Sequence, residues 1–358
     1  MTVPVAVLGA TGVVGQRLVQ LLDGHPGFRL AEVVASGRRA GQRYGEVVPW
    51  SIGGDPPRDA AGLVLKGPGE LQPRSETPMT RPEAPMRSPI VLSALPSGAA
   101  AATEIELARA GHVVCTNASA HRMRPDTPLI VPEINPGAIE GVAAQPWREQ
   151  GGALVANPNC VVVALAMACA PIERTFGIEA ATAVTLQAIS GAGLGGVGGM
   201  AVAGNVIPAI EGEEEKIGPE LNKVLGAGIE VSVAVNRVPV LDGHTAHVFL
   251  KLGSRASPGD IVRALEDFRP PAPARALPPL PTRPLVVRTE PDRPQPRLDA
   301  DAASGMAVSI GRIRAAPPPH DIAFVVVAHN GIRGAAGACL ANAELCMARQ
   351  VARPQSAH

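Results

Sequence analysis

A short glycine turn between an apolar strand and an amphipathic helix constrains this chain more than any other feature. Val3–Leu8 reads as a buried strand, Val14–Leu22 carries apolar residues at helical spacing, and Gly9-Ala-Thr-Gly12-Val-Val-Gly15 joins them. Glycines there let the backbone approach a pyrophosphate, and the helix N-terminus supplies unpaired N–H groups to it. A tight connection with no ligand would use the same residues, so the turn points to a dinucleotide only together with its flanking strand and helix. Leu30–Ala35 reads as a second strand and completes a βαβ unit. Further strands at Ile90–Ala94 and His112–Thr116, with Ala99–Ala110 as the crossover helix, extend this to a mostly parallel sheet. At the end of the second strand an NAD site wants an acidic residue, but the chain offers Ser36-Gly37-Arg38-Arg39. Guanidinium groups pair with a 2′-phosphate, so NADP is the expected cofactor. A solvated pair of loop charges is the other reading of Arg38 and Arg39.

A chain of 358 residues usually divides into two domains. Formal net charge is zero and no basic block stands out, which argues against nucleic acid or an anionic membrane as partner. The five cysteines are odd in number, scattered, and form no CxxC pair, so neither a disulfide framework nor a metal site is expected. A reducing compartment fits, and the absence of a signal-like segment makes the expected location cytoplasmic. Gly53–Pro89, rich in Pro and Gly, reads as loops with an edge strand near Leu63–Leu65. Pro270–Pro296 reads on composition alone as a linker. A strand from Ile322 through Val327 and a helix over about Gly334–Ala348 are expected to pack back on the first domain.

The chemistry centres on Asn157-Pro158-Asn159-Cys160, which follows the apolar stretch Ala153–Ala156 and opens the apolar run Val161–Ala170. A thiol at a helix start meets the partial positive charge of unpaired N–H groups, which favours thiolate and can hold an oxyanion beside it. Asn159 suits a helix cap and also suits orienting a carbonyl oxygen. Arg237 and His244 flank Val238-Pro-Val-Leu-Asp-Gly243, where Pro239 and the Asp-Gly pair break the strand so that both side chains can converge. A guanidinium suits capture of a carboxylate, and an imidazole suits proton transfer near neutral pH. Taken singly, each has a bland reading: a strand-end ion pair and a satisfied histidine. Glu213 and Lys216, three apart, share a helical face, which a surface pair would also do. Gln187 precedes the glycine-rich stretch Ser190–Gly196, either a loop closing over substrate or an ordinary surface loop.

Together these segments resemble the aspartate-semialdehyde dehydrogenases, in their archaeal and fungal-like branch, over nearly the whole chain. The matching motifs are GATGVVGQR at 9–17, SALPSG at 93–98, NASAHRM at 117–123, PEINP at 132–136 and NPNC at 157–160. QAISGAG at 187–193, GEEEK at 212–216, NRVPVLDGHT at 236–245, RPQPRLD at 293–299 and HNGIRGAAG at 329–337 follow. The resemblance implies an α/β fold with a Rossmann-type NADP-binding domain over residues 1–156 plus 321–358. Inserted in it is an α+β catalytic and oligomerisation domain over 157–320, and the chain forms a homodimer or homotetramer. It also draws Pro284–Pro296 into that second domain.

The implied reaction is NADPH-dependent reductive dephosphorylation of L-4-aspartyl phosphate to L-aspartate 4-semialdehyde, in the biosynthesis of lysine, methionine and threonine. Cys160 is then the nucleophile that forms an acyl thioester, His244 the general acid/base, and Gln187 the residue that positions the acyl group. Arg237 would hold the α-carboxylate and Glu213 the α-ammonium, the choice among Glu213, Glu214 and Glu215 resting on the Glu-x-x-Lys spacing. Arg122, Lys216, Asn117 and Asn159 complete the substrate set. Cofactor contacts are implied for Gly9, Thr11, Gly12, Val13, Val14, Gly15, Ser36, Arg38, Arg39, Ser93, Ser190, Gly191 and Asn330, with no metal. Two residues depart from the family pattern: Val161 stands where Ser or Thr usually follows the nucleophile, and Gly331 where Thr is common. An acylating malonyl-CoA or acyl-CoA reductase shares the cysteine and hydride chemistry, and a non-catalytic NADP-binding protein is the reading from another class.

Overall fold

The structure is a computed structural model, and it describes residues 2–68 and 86–351. The chain divides into two compact units. One comprises Met1–Ile130, Gly137–Asn157 and Ala336–His358, and the other Val131–Pro136 and Pro158–Ala335.

The first unit is built on β1 (Val3–Leu8), α1 (Val13–Leu22), β2 (Phe28–Val34), the short helices α2 (Tyr44–Val47) and α3 (Arg58–Ala61), and β3 (Leu65–Lys66). β4 (Ile90–Ser93), α4 (Ser97–Arg109), β5 (Val113–Thr116) and β6 (Ala153–Ala156) follow. Its sheet is parallel throughout, in the order β3-β2-β1-β4-β5-β6, which is the doubly wound dinucleotide-binding order. β4, β5 and β6 are buried along their whole length, as expected of strands covered on both faces. The expected edge strand is Leu65–Lys66, at the sheet's margin; the part of the expected loop region over 69–85 lies outside the described residues.

Close packing fixes the glycine turn. A Cβ on Gly15 would lie 2.1 Å from the Gly9 carbonyl oxygen, and Gly9 itself has φ +69° with no room for a Cβ beside Ala94 O. Buried Gln16 braces the turn by donating from Nε2 to the carbonyls of Thr11 and Pro49, and the Tyr44 hydroxyl donates to Ala10 O at 2.9 Å. Gly12, the α1 N-cap, carries no side chain over the helix start.

The second unit contains α5 (Cys160–Phe176), β7 (Ile178–Gln187), α6 (Gly199–Val202), α7 (Glu214–Leu225), β8 (Glu230–Arg237), β9 (His244–Leu252), α8 (Pro258–Glu266) and α9 (Ala272–Arg275). β10 (Leu285–Arg288), α10 (Pro296–Asp299), β11 (Val308–Ala315) and β12 (Ile322–Ala328) complete it. Its sheet is mixed, in the order β10-β11-β12-β9-β7-β8. The proline-rich stretch is folded rather than a linker: β10 pairs with β11, and buried Asp299 binds Arg288, Arg293 and the Gln295 N–H. α5 is buried almost all round between the sheet, α7 and α8, which explains why its sequence is apolar on every face.

Two boundaries differ from expectation. The strand at 322–328 belongs to the second sheet, between β11 and β9, and only the helix after it, α11 (Gly337–Ala348), joins the first unit. All seven strand residues are buried, so the apolar run specifies a strand but not its sheet; the ladder from Ile322↔Leu250 to Ala328↔His244 decides that. Val131–Pro136 also belongs to the second unit, held by a buried Glu133–Arg333 ion pair and by Arg174 donating to Ile134 O. No helix among the described residues is long and apolar enough to cross a membrane.

Gly15→Ala places a methyl group where the Gly9 carbonyl already sits, and overpacking of this kind costs about 1–3 kcal/mol. Urea unfolding should show that loss, and NADPH fluorescence titration should show weakened binding.

Candidate active site

The chain leaves β6 at Ala156 and begins α5 at Cys160. Asn159 caps the helix, its Oδ1 accepting from Val161 N–H at 2.9 Å. Two carboxylates, one at the N-cap of α7 and one within it, hold that cap. Glu220 Oε2 accepts the Asn159 N–H at 2.6 Å, and Glu213, the residue that precedes α7, accepts from Asn159 Nδ2 at 2.8 and 3.0 Å. Positions 213 and 220 are two helical turns apart and share one face. Of the three consecutive glutamates, Glu214 instead accepts the Val235 N–H, and Glu215 is exposed. Across α5 from this cap, a Cβ on Gly334 would lie 2.6 Å from Cys160 Cβ, so glycine is required where that turn meets the helix start.

Cys160 is half-buried, whereas Cys115, Cys169, Cys339 and Cys346 are buried. Burial pushes the Cys169 thiol up to about 12, which makes it inert at neutral pH. Cys160 Sγ lies 3.2 Å from His244 Nε2. On the ring's other side, His244 Nδ1 accepts the Ala188 N–H at 3.0 Å, and the carbonyl of the same residue accepts from Arg237 Nη1 at 2.7 Å. β7 lies between β9 and β8 and pairs Gln187 with Arg237, so the ends of three neighbouring strands deliver Gln187, Arg237 and His244 to one edge of the sheet. Gln187 Nε2 points at Thr185 Oγ1 and Glu213 Oε2, each at 3.5 Å. Gly191 caps the group: a Cβ there would lie 2.9 Å from Arg237 Nη1 and 3.1 Å from His244 Cε1.

Burial first, then the positive charge of Arg237 and the neighbouring His329, pulls the His244 imidazolium down to about 3, so the ring is neutral at physiological pH. Burial also lowers Arg237, opposed by the negative charges of Cys160 and Glu213, and a guanidinium stays protonated regardless. The pairing is reciprocal: the Arg237 cation favours a thiolate at Cys160.

Several residues expected from sequence thus meet in the second unit: Cys160, His244, Arg237, Gln187, Glu213 and Asn159, with Gly191 over them. Asn330 spans two loops there, its Oδ1 accepting the Gly243 N–H at 2.9 Å and its Nδ2 donating to Ser190 Oγ at 2.8 Å. Both ends of its amide, expected at the cofactor, are therefore used in bracing the turn that precedes His244. Lys216 is half-exposed in the first turn of α7. In the first unit, Arg122 donates from Nη2 to Asn117 O at 2.7 Å, and Asn117 Nδ2 donates to the carbonyl of Ser93. Thr11, Gly12, Val13 and Val14 form the turn and start of α1, while Ser36 and Arg38 are exposed and Arg39 half-exposed just beyond β2. The bare glycine N-cap and the open guanidinium groups fit the phosphates of a dinucleotide.

Sequence reading missed Glu220, Ala188, Gly334 and the Glu133–Arg333 pair. Glu220 left one signal, its two-turn spacing from Glu213. Ala188 acts through its backbone and left none.

A parallel dinucleotide-type sheet in one unit and a cysteine–histidine–arginine cluster in the other define the class of a semialdehyde dehydrogenase. The family model described as semialdehyde dehydrogenase, NAD binding domain, matches residues 4–142, and that described as semialdehyde dehydrogenase, dimerisation domain, matches residues 169–333. An aspartate-semialdehyde dehydrogenase of Archaeoglobus fulgidus is 40% identical, with 98% of this chain and 100% of the relative covered. One of Methanothermobacter thermautotrophicus is 42% identical, with 96% and 98% covered. The crystal structure of the Candida albicans aspartate semialdehyde dehydrogenase with NADP superposes with a TM-score of 0.86 at 34% identity, covering 98% of this chain and 100% of that one. The chain belongs to the aspartate-semialdehyde dehydrogenase family.

Gly191→Ala crowds Arg237 and His244 together from an exposed turn. We expect kcat/KM to fall on the order of 100-fold through misplacement of the two groups, with the thermal midpoint nearly unchanged in a melting curve.

Proposed function

We propose that the protein is an NADP-dependent aspartate-semialdehyde dehydrogenase. In the biosynthetic direction it would reduce L-4-aspartyl phosphate to L-aspartate 4-semialdehyde and release phosphate, supplying lysine, methionine and threonine. The contact that carries this reading is Cys160 Sγ to His244 Nε2 at 3.2 Å, with Arg237 on the same turn. Cys160 attacks the acyl carbon and expels phosphate, leaving a thioester. NADPH supplies the hydride that reduces it, and collapse of the thiohemiacetal frees the sulfur. His244 is the acid/base group beside that carbon. Gln187 positions the acyl group, Arg237 pairs with the α-carboxylate and Glu213 with the α-ammonium, while Arg122, Lys216 and Asn117 serve the phosphate. Asn159 contributes by holding the helix start on which the nucleophile sits.

The first unit is the NADP-binding domain in this reading. Gly9, Gly12 and Gly15 leave the backbone bare toward the pyrophosphate, Thr11, Val13 and Val14 present the adjoining backbone, and Ser36, Arg38 and Arg39 meet the 2′-phosphate; Ser93 belongs to the same site. Ser190, Gly191 and Asn330 complete the cofactor set, and they also shape the turn around His244. The second unit is the catalytic and oligomerisation domain. The matched dimerisation domain supports a homo-oligomer, for which we propose a dimer or tetramer assembled through that domain. Five free cysteines support a reducing, cytoplasmic setting.

The test is NADP reduction with L-aspartate 4-semialdehyde in the presence and absence of inorganic phosphate. Turnover should require phosphate, coenzyme A should not replace it, and Cys160→Ala should lose activity by on the order of 10⁴-fold or more. Phosphate-independent reduction, or an active Cys160→Ala protein, would overturn the reading.

A further inference from the structure

Under the loop that carries Asn117 and Arg122 lies a buried histidine–carboxylate pair that the proposed chemistry leaves unused. His121 Nε2 sits 3.2 Å from Glu104 Oε2, with the two side chains 2% and 0% exposed. The same nitrogen faces the Ala100 carbonyl oxygen at 3.4 Å, so it meets only acceptors and carries a proton. The other carboxylate oxygen, Glu104 Oε1, accepts from the Thr116 hydroxyl at 2.7 Å, and that hydroxyl oxygen accepts the Ala118 N–H at 2.9 Å. Ser97 Oγ accepts the Ser119 N–H at 3.1 Å. Ser97, Ala100 and Glu104 follow one another at helical spacing, so a single face of α4 grips the chain at Thr116, Ser119 and His121. All of these residues belong to the first unit.

Packing alone does not account for the imidazole. His121 Nδ1 is buried with no hydrogen-bond partner among the described residues, and a hydrocarbon ring would fill the same space without stranding a nitrogen. What the imidazole adds is the Nε2 contact, which in turn pairs a carboxylate that is costly to bury alone. The residue that benefits is the next in sequence. Arg122 N–H donates to Ser119 O at 3.3 Å and its Nη2 donates to Asn117 O at 2.7 Å, so both its backbone and its guanidinium are tied to the segment that α4 holds.

We infer that Glu104 and His121 are positioning residues for the phosphate step: the pair clamps the loop at 116–121 onto α4 and thereby aims Arg122 at inorganic phosphate, or at the phosphoryl group of the acyl phosphate. This rests on the reading of Arg122 as a phosphate ligand and deepens it. Neither residue of the pair touches substrate; both act through Arg122. A guanidinium grips a phosphate through paired N–H donors whose direction matters, so a loop that drifts keeps the charge and loses the pairing. The glycine turn is braced separately by Gln16 and Tyr44, and the start of α5 by Asn159, Glu213 and Glu220. Loss of the clamp should therefore be felt at phosphate and not at the cofactor or the nucleophile.

Steady-state kinetics of the full-length protein in the oxidative direction test this, with inorganic phosphate as the varied substrate. His121→Phe should raise the KM for phosphate about tenfold and leave those for NADP and aspartate semialdehyde within about twofold. Because that change strands a buried carboxylate, it is paired with the double variant Glu104→Gln/His121→Phe, which removes the charge and keeps an acceptor for the Thr116 hydroxyl. The double variant should melt near the parent and still show a phosphate KM raised about tenfold. His121→Gln, whose amide N–H lies near the position of Nε2, should return the phosphate KM to within about threefold of the parent. A folded double variant with the parent's phosphate KM, equal values for the Gln and Phe variants, or a uniform loss across all three substrates overturns the inference. Binding of inorganic phosphate, followed by ³¹P line broadening with no other substrate present, makes the same comparison without turnover. A parent protein whose phosphate binding depends on His121 but that does not oxidise aspartate semialdehyde would defeat the functional reading alone. Phosphate-dependent turnover indifferent to substitution of His121 would defeat the positioning role alone.

Discussion

The start of α5 is the fixed point on which the second unit's chemistry depends. Cys160 is the first helical residue, so its sulfur goes wherever the helix terminus is held. Four contacts hold it: the Asn159 cap on Val161 N–H, Glu220 on the Asn159 N–H, Glu213 on the Asn159 amide, and the close approach of Gly334 to the Cys160 backbone and Cβ. Hydrogen bonds to charged groups contribute roughly 1.5–3 kcal/mol each, about twice a neutral one. Using them at a helix terminus fixes a nucleophile that, on a loop, would wander by more than the reaction tolerates.

That anchoring has an electrostatic cost. Glu213 and Glu220 set negative charge beside a helix start whose dipole would otherwise favour thiolate. Arg237 offsets it, and its own orientation comes from the carbonyl of Ala188, the residue whose N–H orients His244. The backbone of one residue therefore couples the cation that favours the thiolate to the ring that hydrogen-bonds it. Gly191 and the Asn330 bridge keep that turn close, which explains the glycine at position 191.

The first unit solves a different problem with the same means. Its glycine turn needs backbone against backbone, Gly15 against Gly9 and Gly9 against Ala94, so that no side chain stands over the α1 N-terminus. Buried Gln16 and Tyr44 satisfy the carbonyls that such a turn leaves bare. α11 returns to this unit and packs on β5, tied to the α1–β2 turn by Glu344 and His25 at 2.9 Å. A long apolar helix at the end of the chain thus completes a sheet whose strands lie near its beginning.

The sequence by itself determined the elements and the chemical cast. Short apolar runs bounded by turn residues, helical spacing in α1 and an Ala-rich crossover placed β1, α1, β2, β4, α4, β5 and the start of α5 close to their observed limits, because run length and turn residues are local signals. The glycine turn and Asn-Pro-Asn-Cys were legible because local backbone geometry demands those residues. Tertiary structure decided the rest. Ile322–Ala328 is apolar on both faces, so nothing local says which sheet it enters, and Val131–Pro136 is assigned by a buried ion pair whose members lie 200 positions apart (333 minus 133). Nor could spacing reveal that Glu220 holds the helix start or that Ala188 N–H meets His244. Those contacts join atoms distant in the chain, and one of them uses a backbone group that every residue except proline possesses.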